Sequence, residues 1–453
     1  MPFSADPAWA WLPYQPDAER PWTLRLAGHL YRRAAFGANW TQLQQALGDG
    51  PQKTIDRFLG PGDEAAAFNR TYDDFEAAAG NSGSIEPLRA WWLRRMVLTP
   101  HPLLEKMTLF WHGHFAAHAA RADSPPLVQE HLKLLRTHAL GRFDAMLGAA
   151  VRDPALLLAF DCNGNRRARP NDYFARNLLE CIALGPGQAS AKDIAEAARC
   201  FTGWFVIQNR FRIVEHEHDE GVKRVLGREG PWQGSDVAPV LLQHPATARF
   251  LVRKMYRWLI SETDEPGEEL LAPLAASLAK DWDIAKLVET MLRSNWFFSS
   301  AAYRQRVKGP VEFALGIVRA LEELVPTTHL GPDLAGLGQD LFHPPSAKGW
   351  QGGRAWINSA TLVMRNNLAA SVLSNKEKYG DKLRPLDVAK KHGQGSAEQV
   401  GRFLLDLFLQ GDVEPKVVEA LQKAAGPTSD GDLAAWTRQW THAVVALPEF
   451  QLC

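Results

Sequence analysis

The sequence predicts a mostly α-helical protein, a single large helical domain with a short β-hairpin insertion. Apolar residues recur every three or four positions through most of the 453 residues, which is the period of one helix face. Proline and serine begin many of these runs, and glycine or proline follows their ends, as is usual at helix termini. Residues 204–215 instead carry β-branched and aromatic residues on both sides of Gln208 and Asn209, and this pattern predicts a hairpin.

The first half of the chain predicts a series of short helices. Residues 23–35 place Leu24, Leu30 and Tyr31 on one face, and Gly37 follows the run. The next predicted helices are 41–48, one that begins at Pro51, one between Ser84 and Pro100, one that begins at Pro102 and one that follows Ser190.

In the second half, the hairpin leads into a polar loop at 216–221, and a loop rich in glycine, proline and tryptophan covers 344–358, here called the late loop. Neither an internal repeat nor an obvious linker divides the sequence, so we expect residues 1–453 to form one domain. The remaining helical patterns cover 246–260, 269–280, 283–293, 310–323, 359–373, 397–410, 414–424 and 431–446.

Composition limits the function classes. The 51 basic and 51 acidic residues cancel, so no overall positive charge draws the protein to nucleic acid, and we expect no nucleic-acid partner. No segment approaches the roughly 18 consecutive apolar residues of a transmembrane helix. The first residues lack a signal-peptide pattern. We therefore expect a cytoplasmic protein, or one that is exported together with a partner.

The most informative stretch is 110–118, which holds His112, His114 and His118 among bulky aromatic residues. Histidine is the commonest metal ligand and also a general acid or base near neutral pH. On a regular helix His112 and His114 lie about 200° apart and cannot face one ion, whereas His114 and His118 can. Alternatively, the helix ends near Gly113 and a loop directs His112 and His114 together.

A metal centre needs a third and usually a fourth ligand. Asp219, His218 and Glu180 are the best candidates, so one hypothesis is a divalent metal held by His112, His114 and Asp219. The favoured alternative is a metal-free pocket, or histidines that are hydrogen-bonded in the core.

Arg176 and Glu180 lie four residues apart on one predicted helix. An ion pair between them would either stabilise the helix or orient a neighbouring histidine. We therefore include both among the candidate binding residues.

His218, Asp219 and Lys223 combine an imidazole, a carboxylate and a cation in one loop. Together they could supply a general base, the carboxylate that orients it, and a positive charge for an anionic group. The neighbouring glutamates support an alternative, a solvated loop without a site. The sequence favours these two interpretations about equally.

Lys348, Trp350, Trp356 and Asn358 are the candidate binding residues of the late loop. Tryptophans beside hydrogen-bonding groups suit the stacking of sugar rings. The alternative, slightly favoured, is a loop whose indoles fill the core. Of the two indoles, we expect Trp350 to be core and Trp356 to be exposed.

Several segments, in this order, resemble the DUF1800 family of bacterial proteins. The resemblance covers about residues 29–368, and the opening 9–14 is similar to the planctomycete-type branch. The matching segments are 29–37, 110–115, 171–176, 178–180, 197–204, 218–221, 307–313, 348–350 and 355–359.

The resemblance implies a family core at about 22–373 and a C-terminal helical extension at 396–448. It implies no established activity, but family members often accompany sulfatase-like proteins. The chain departs from the family pattern at Asn177, where relatives usually have glutamate, and at Ile182, where many have histidine or an aromatic residue.

Two functions follow as hypotheses. The first is an envelope-related, metal-assisted hydrolase of a glycan or another anionic polymer, with His112, His114, His218 and Asp219 as its catalytic residues. The second is a non-catalytic binding or accessory protein that partners a sulfatase-like enzyme. Both expect one pocket that gathers these four residues with Glu180.

Overall fold

The computed structural model describes residues 6–60, 62–375, 378–426 and 432–453. Helices dominate the described residues, and the predicted mostly α-helical class with a short hairpin is confirmed. The first twelve helices are α1 Pro7–Ala10, α2 Leu24–Ala34, α3 Trp40–Leu59, α4 Asp63–Gly80, α5 Glu86–Leu98, α6 Pro102–His114, α7 Ala119–Ala122, α8 Pro125–His138, α9 Phe143–Ala150, α10 Pro154–Ala159, α11 Tyr173–Asn177 and α12 Ala191–Cys200.

The second set of helices follows the β-strands. These helices are α13 Gly234–Leu242, α14 Pro245–Leu259, α15 Glu268–Asp281, α16 Ile284–Arg293, α17 Pro310–Ala320, α18 Thr327–Gly336, α19 Ser359–Val372, α20 Pro385–Lys391, α21 Ala397–Leu409, α22 Pro415–Ala425, α23 Leu433–Ala446 and α24 Pro448–Gln451. Short 3₁₀ turns lie at Cys162–Gly164, Glu215–Glu217 and Gly353–Trp356.

The predicted hairpin is present. Strand β1 (Trp204–Ile207) pairs antiparallel with β2 (Arg210–Ile213), with Trp204 opposite Ile213. Gln208 and Asn209 both have positive φ, as a tight two-residue hairpin turn requires.

A second, smaller ribbon was not predicted. It pairs β3 (Lys223–Val225) with β4 (Arg228–Gly230) around Leu226 and Gly227, which also have positive φ.

The helix after Asp172 changes its geometry partway. It starts as α11 and continues as a π-helix over Leu178–Ala183. Such wide turns are rare and often occur near functional sites. This π-helix, which includes Glu180 and Cys181, packs against α14.

Buried apolar side chains form one contiguous cluster that includes residues from Ala10 to Phe450. Around it, α6 packs against α2, α3, α5 and α8. None of the described helices is long and apolar enough to cross a membrane.

Candidate functional site: a cationic pocket beside the histidine helix

Helix α6 carries the histidines at its C-terminal end. Pro102 occupies the first turn, where its missing N–H costs nothing, and the helix ends at His114. Because the helix stays regular to that point, His112 and His114 face different neighbours, as the helical angle between them predicts. Both rings are only 1% exposed.

His112 braces the backbone of a distant segment. Its Nε2 accepts a 3.0 Å hydrogen bond from the N–H of Phe342, a residue with φ +71°. The rings of Trp92 and Phe342 pack against it, each with centroids 5.2 Å away. Burial lowers the pKa of His112 to about 3, so the ring is neutral and acts as a core acceptor.

His114 lies among the rings of Phe110, Phe143 and Phe250. Neither of its ring nitrogens makes a well-aligned hydrogen bond with a described residue, and the backbone of Ile182 is a polar group that acts on the ring. Burial holds the pKa of His114 well below its ordinary value, the charge of Lys254 adds to this effect, and the backbone of Ile182 opposes it. The ring is therefore neutral.

The late loop closes directly onto this end of α6. Gly349 has φ +71°, and a Cβ built there would lie 2.0 Å from the carbonyl oxygen of Gly113, so only glycine permits the approach. The next residue, Trp350, places its ring 5.5 Å from that of His112. Two motifs that are far apart in the sequence thus meet in one place.

The exposure of the two indoles of the late loop is the opposite of what we expected. Trp356 is buried, with only 9% of its surface exposed, whereas Trp350 is half-buried. Both line the same pocket. The structure therefore corrects our assignment of Trp350 to the core and Trp356 to the surface.

This pocket lies between α6, α14 and the late loop and has a volume of about 150 Å³. Its walls are mainly aromatic, and Trp258 of α14 faces Trp350 and Trp356 of the loop within the same lining. The Nε1–H of Trp258 is buried without an acceptor in the described part of the chain. Since buried polar groups normally have a partner, this N–H is a donor that an acceptor on a bound molecule could engage.

The two carboxylates that line the pocket already form ion pairs. Both lining carboxylates, Glu262 and Glu312, are engaged by Arg306, at 3.3 and 3.2 Å. Lys106 also pairs with Glu312. These contacts hold the pKa of Glu312 far below its ordinary value in spite of burial. The carboxylates of the pocket are therefore already neutralised.

Three further cations line the pocket: Lys254, Arg257 and Lys348. Arg257 turns outward to Glu265, 2.6 Å away. The side chains of Lys254 and Lys348 form neither a hydrogen bond nor an ion pair with any residue that the structure describes. The pocket therefore has an excess of positive charge.

Lys254 is the main residue that sequence reasoning missed. Its Nζ lies 5.4 Å from the centroid of the Phe250 ring, and its charge acts on His114 and on the Cys181 thiol. Burial lowers the pKa of Lys254 to about 8. The sequence does contain a pattern that points to Lys254, because Phe250, Lys254 and Trp258 are spaced four residues apart and form a second face of α14.

The histidine-aspartate loop lies against α12. Asp219 accepts hydrogen bonds from Arg199 Nε at 2.8 Å and Nη2 at 3.1 Å, which lower the pKa of its carboxyl group to about 2. The Nδ1 of His218 bonds to the carbonyl of Thr202 at 2.8 Å, and Lys223 donates to the carbonyl of Asp219. None of His218, Asp219 and Lys223 lines the pocket.

The predicted metal centre is not formed. Within residues 6–60, 62–375, 378–426 and 432–453, no group of three or more histidines, cysteines, aspartates or glutamates is placed to hold a metal ion. His112 is turned toward Phe342, and Asp219 is held by Arg199, so the expected set of His112, His114 and Asp219 does not converge.

The remaining predicted site residues lie outside the pocket lining. Arg176 pairs with Asp172, the N-cap residue of α11, 2.5 Å away, and not with Glu180 as expected, because Asp172 is also four residues from Arg176. Asn358 caps α19 by accepting a hydrogen bond from the N–H of Thr361 at 2.9 Å. Burial raises the pKa of the Cys181 thiol, and the neighbouring Glu180 adds to this effect.

The chain belongs to the DUF1800 family: the model of this family, described as "Protein of unknown function (DUF1800)", matches residues 29–452. Comparisons with curated proteins and with solved structures found no match.

Proposed function

We propose that this member of the DUF1800 family binds a small anionic ligand in the pocket between α6, α14 and the late loop. The observation that carries the proposal is the excess positive charge. Arg306 and Lys106 already satisfy the two carboxylates, whereas Lys254 and Lys348 face the pocket without a counter-charge among the described residues.

The energetics favour an anion. Removing an ammonium group from water is costly unless an opposite charge or hydrogen-bond acceptors compensate for the loss. A carboxylate, sulfate or phosphate group between Lys254 and Lys348 would supply this compensation, and the indole N–H of Trp258 would gain an acceptor. Hydrogen bonds between charged partners are stronger than those between neutral groups.

The dimensions favour a small ligand. The pocket of about 150 Å³ compares with engineered cavities of about 150 Å³ that hold one benzene molecule. Its aromatic walls suit the apolar face of a sugar ring, so the ligand we favour is an acidic monosaccharide or the acidic terminal unit of a glycan. Lys348 is exposed and would meet the charged group at the mouth.

Binding is favoured over metal-assisted hydrolysis. The pair His218 and Asp219, predicted to act as a general base with its orienting carboxylate, is engaged by Thr202 and Arg199 instead. The sulfatase-like partner, the planctomycete-type branch, the division into domains and the cellular location stay predictions from the sequence.

Isothermal titration calorimetry with glucuronate, and with glucose as the neutral control, tests the proposal. We expect glucuronate to bind and glucose not to bind. Lys254→Gln and Lys348→Gln should each weaken glucuronate binding at least about tenfold, the loss of one charge-assisted contact. Lys280→Gln removes an exposed lysine of α15 and should change nothing.

Two results would overturn the proposal. One is equal affinity of the wild type and both pocket variants for glucuronate. The other is the absence of binding for glucuronate, sulfate and phosphate alike at millimolar concentration. The melting temperature of each variant confirms that it is folded.

A further inference from the structure

We infer that Lys254 is a nucleophilic amine that forms an imine with an aldehyde or ketone carbon of the anionic ligand. The inference rests on the proposed function, since the anionic group brings the carbonyl into the pocket. It assigns covalent chemistry to a site that otherwise only binds.

The surroundings of Lys254 are those of an activated amine. The side chain lies in an aromatic pocket, and no carboxylate of the described residues pairs with it. The groups around it are His114 from α6, Cys181 from the π-helix and Lys348 from the late loop. A lysine that is desolvated in an apolar pocket loses its proton readily and becomes nucleophilic, in line with its pKa of about 8, which burial lowers and the Cys181 thiol opposes.

The other lysines that are buried or that line the pocket do not meet these conditions. Lys223 is buried but donates to the carbonyl of Asp219. Lys106 is tied to Glu312 by an ion pair. Lys308 packs its ammonium group over the ring of Phe450, 3.4 Å from the centroid, and does not line this pocket. Lys348 is exposed and remains strongly hydrated. Lys254 is therefore the amine of this pocket that is suited to attack.

The step needs no oxidant or reductant. The lone pair of Nζ attacks the carbonyl carbon, a C–N bond forms, and the carbonyl oxygen takes up the proton that the nitrogen loses. The hydroxyl group of the resulting carbinolamine then takes up one proton from solvent, its C–O bond breaks and water leaves, and the nitrogen lone pair forms the C=N bond of a protonated imine. Lys348 would hold the carboxylate of the ligand during both stages.

Reductive trapping tests the inference. The full chain is incubated with glyoxylate, which carries an aldehyde next to a carboxylate, and with sodium cyanoborohydride, and the carboxymethylated lysines are mapped by mass spectrometry. We expect Lys254 to be labelled at least tenfold faster than Lys280, and excess sulfate to slow this labelling. Labelling of Lys254 no faster than that of Lys280 would overturn the inference.

A variant separates this inference from anion binding. Lys254→Arg keeps the positive charge and should bind glyoxylate within about tenfold of the wild-type affinity, but it should lose the fast labelling. If glyoxylate binds the wild type in calorimetry and Lys254 gains no adduct, covalent chemistry is excluded and anion binding stands. If glyoxylate, glucuronate, sulfate and phosphate all fail to bind, both proposals are wrong.

Discussion

His112 and His114 show how two residues of one type, two positions apart, can serve different purposes. The helix points His112 at the backbone of Phe342 and His114 at the pocket. Their angular separation could be predicted from the sequence. The partner of His112 could not, because it lies 230 residues away in the chain.

Replacement of His112 tests its bracing role. His112→Ala leaves the N–H of Phe342 without an acceptor and opens a cavity between two aromatic rings, so we expect a loss of about 2–4 kcal/mol in the free energy of unfolding. His112→Gln retains an acceptor and should lose less than half of that. Urea denaturation measures both. A loss below about 0.5 kcal/mol for His112→Ala would show that the hydrogen bond does not brace the fold.

The contact between the late loop and α6 builds the pocket. The sequence indicated that the late loop is irregular and carries two indoles. It did not indicate which surface the loop covers, because that surface is determined by the close approach of the Gly349 backbone to Gly113. The hairpin β1–β2 was predictable from its alternation and turn. The π-helix was not, because its residues, 178–183, carry an ordinary helical pattern.

The close approach of Gly349 to Gly113 can be tested by adding one methyl group at Gly349. We expect Gly349→Ala to cost about 2–4 kcal/mol, because it combines a strained φ with a clash against the backbone of α6. Gly187 has φ +76°, and a Cβ at that position would have no atom of the described residues within 4 Å, so Gly187→Ala reports the strain alone, about 1 kcal/mol. Equal losses in the two variants, measured by urea denaturation, would contradict the contact.

For the molecule as a whole, the sequence predicted the helical class, whereas the structure separates residues that we expected to share one pocket. The balanced total charge hid a local excess of cations, since pairing depends on which carboxylates the fold brings to each lysine. His114, Lys348, Trp350 and Trp356 line one pocket. His218 and Asp219 are used to attach their loop to α12.

The neutral buried histidines predict how stability depends on pH. His29, His112 and His114 all have pKa values below the ordinary value, so between that value and their folded pKa the unfolded chain binds more protons. Stability is therefore full above about pH 6.5 and falls on acidification, by up to about 1.4 kcal/mol per pH unit for each histidine. Urea denaturation at pH 7, 6 and 5 measures this slope. His112→Gln should reduce this slope by the contribution of one histidine. A free energy of unfolding that stays constant from pH 7 to pH 5 would contradict the conclusion that the buried rings are neutral.

Binding of an anion in the pocket of Lys254 and Lys348 can be observed in crystals. The most direct measurement is the selenium anomalous difference map of wild-type crystals soaked in sodium selenate, with Lys254→Gln crystals as the control. We expect a strong peak in the pocket, within about 4 Å of the Nζ atoms of both lysines, and the loss of this peak in the variant. Selenate bound only at other surface sites, or a pocket peak that persists unchanged in Lys254→Gln, would contradict it.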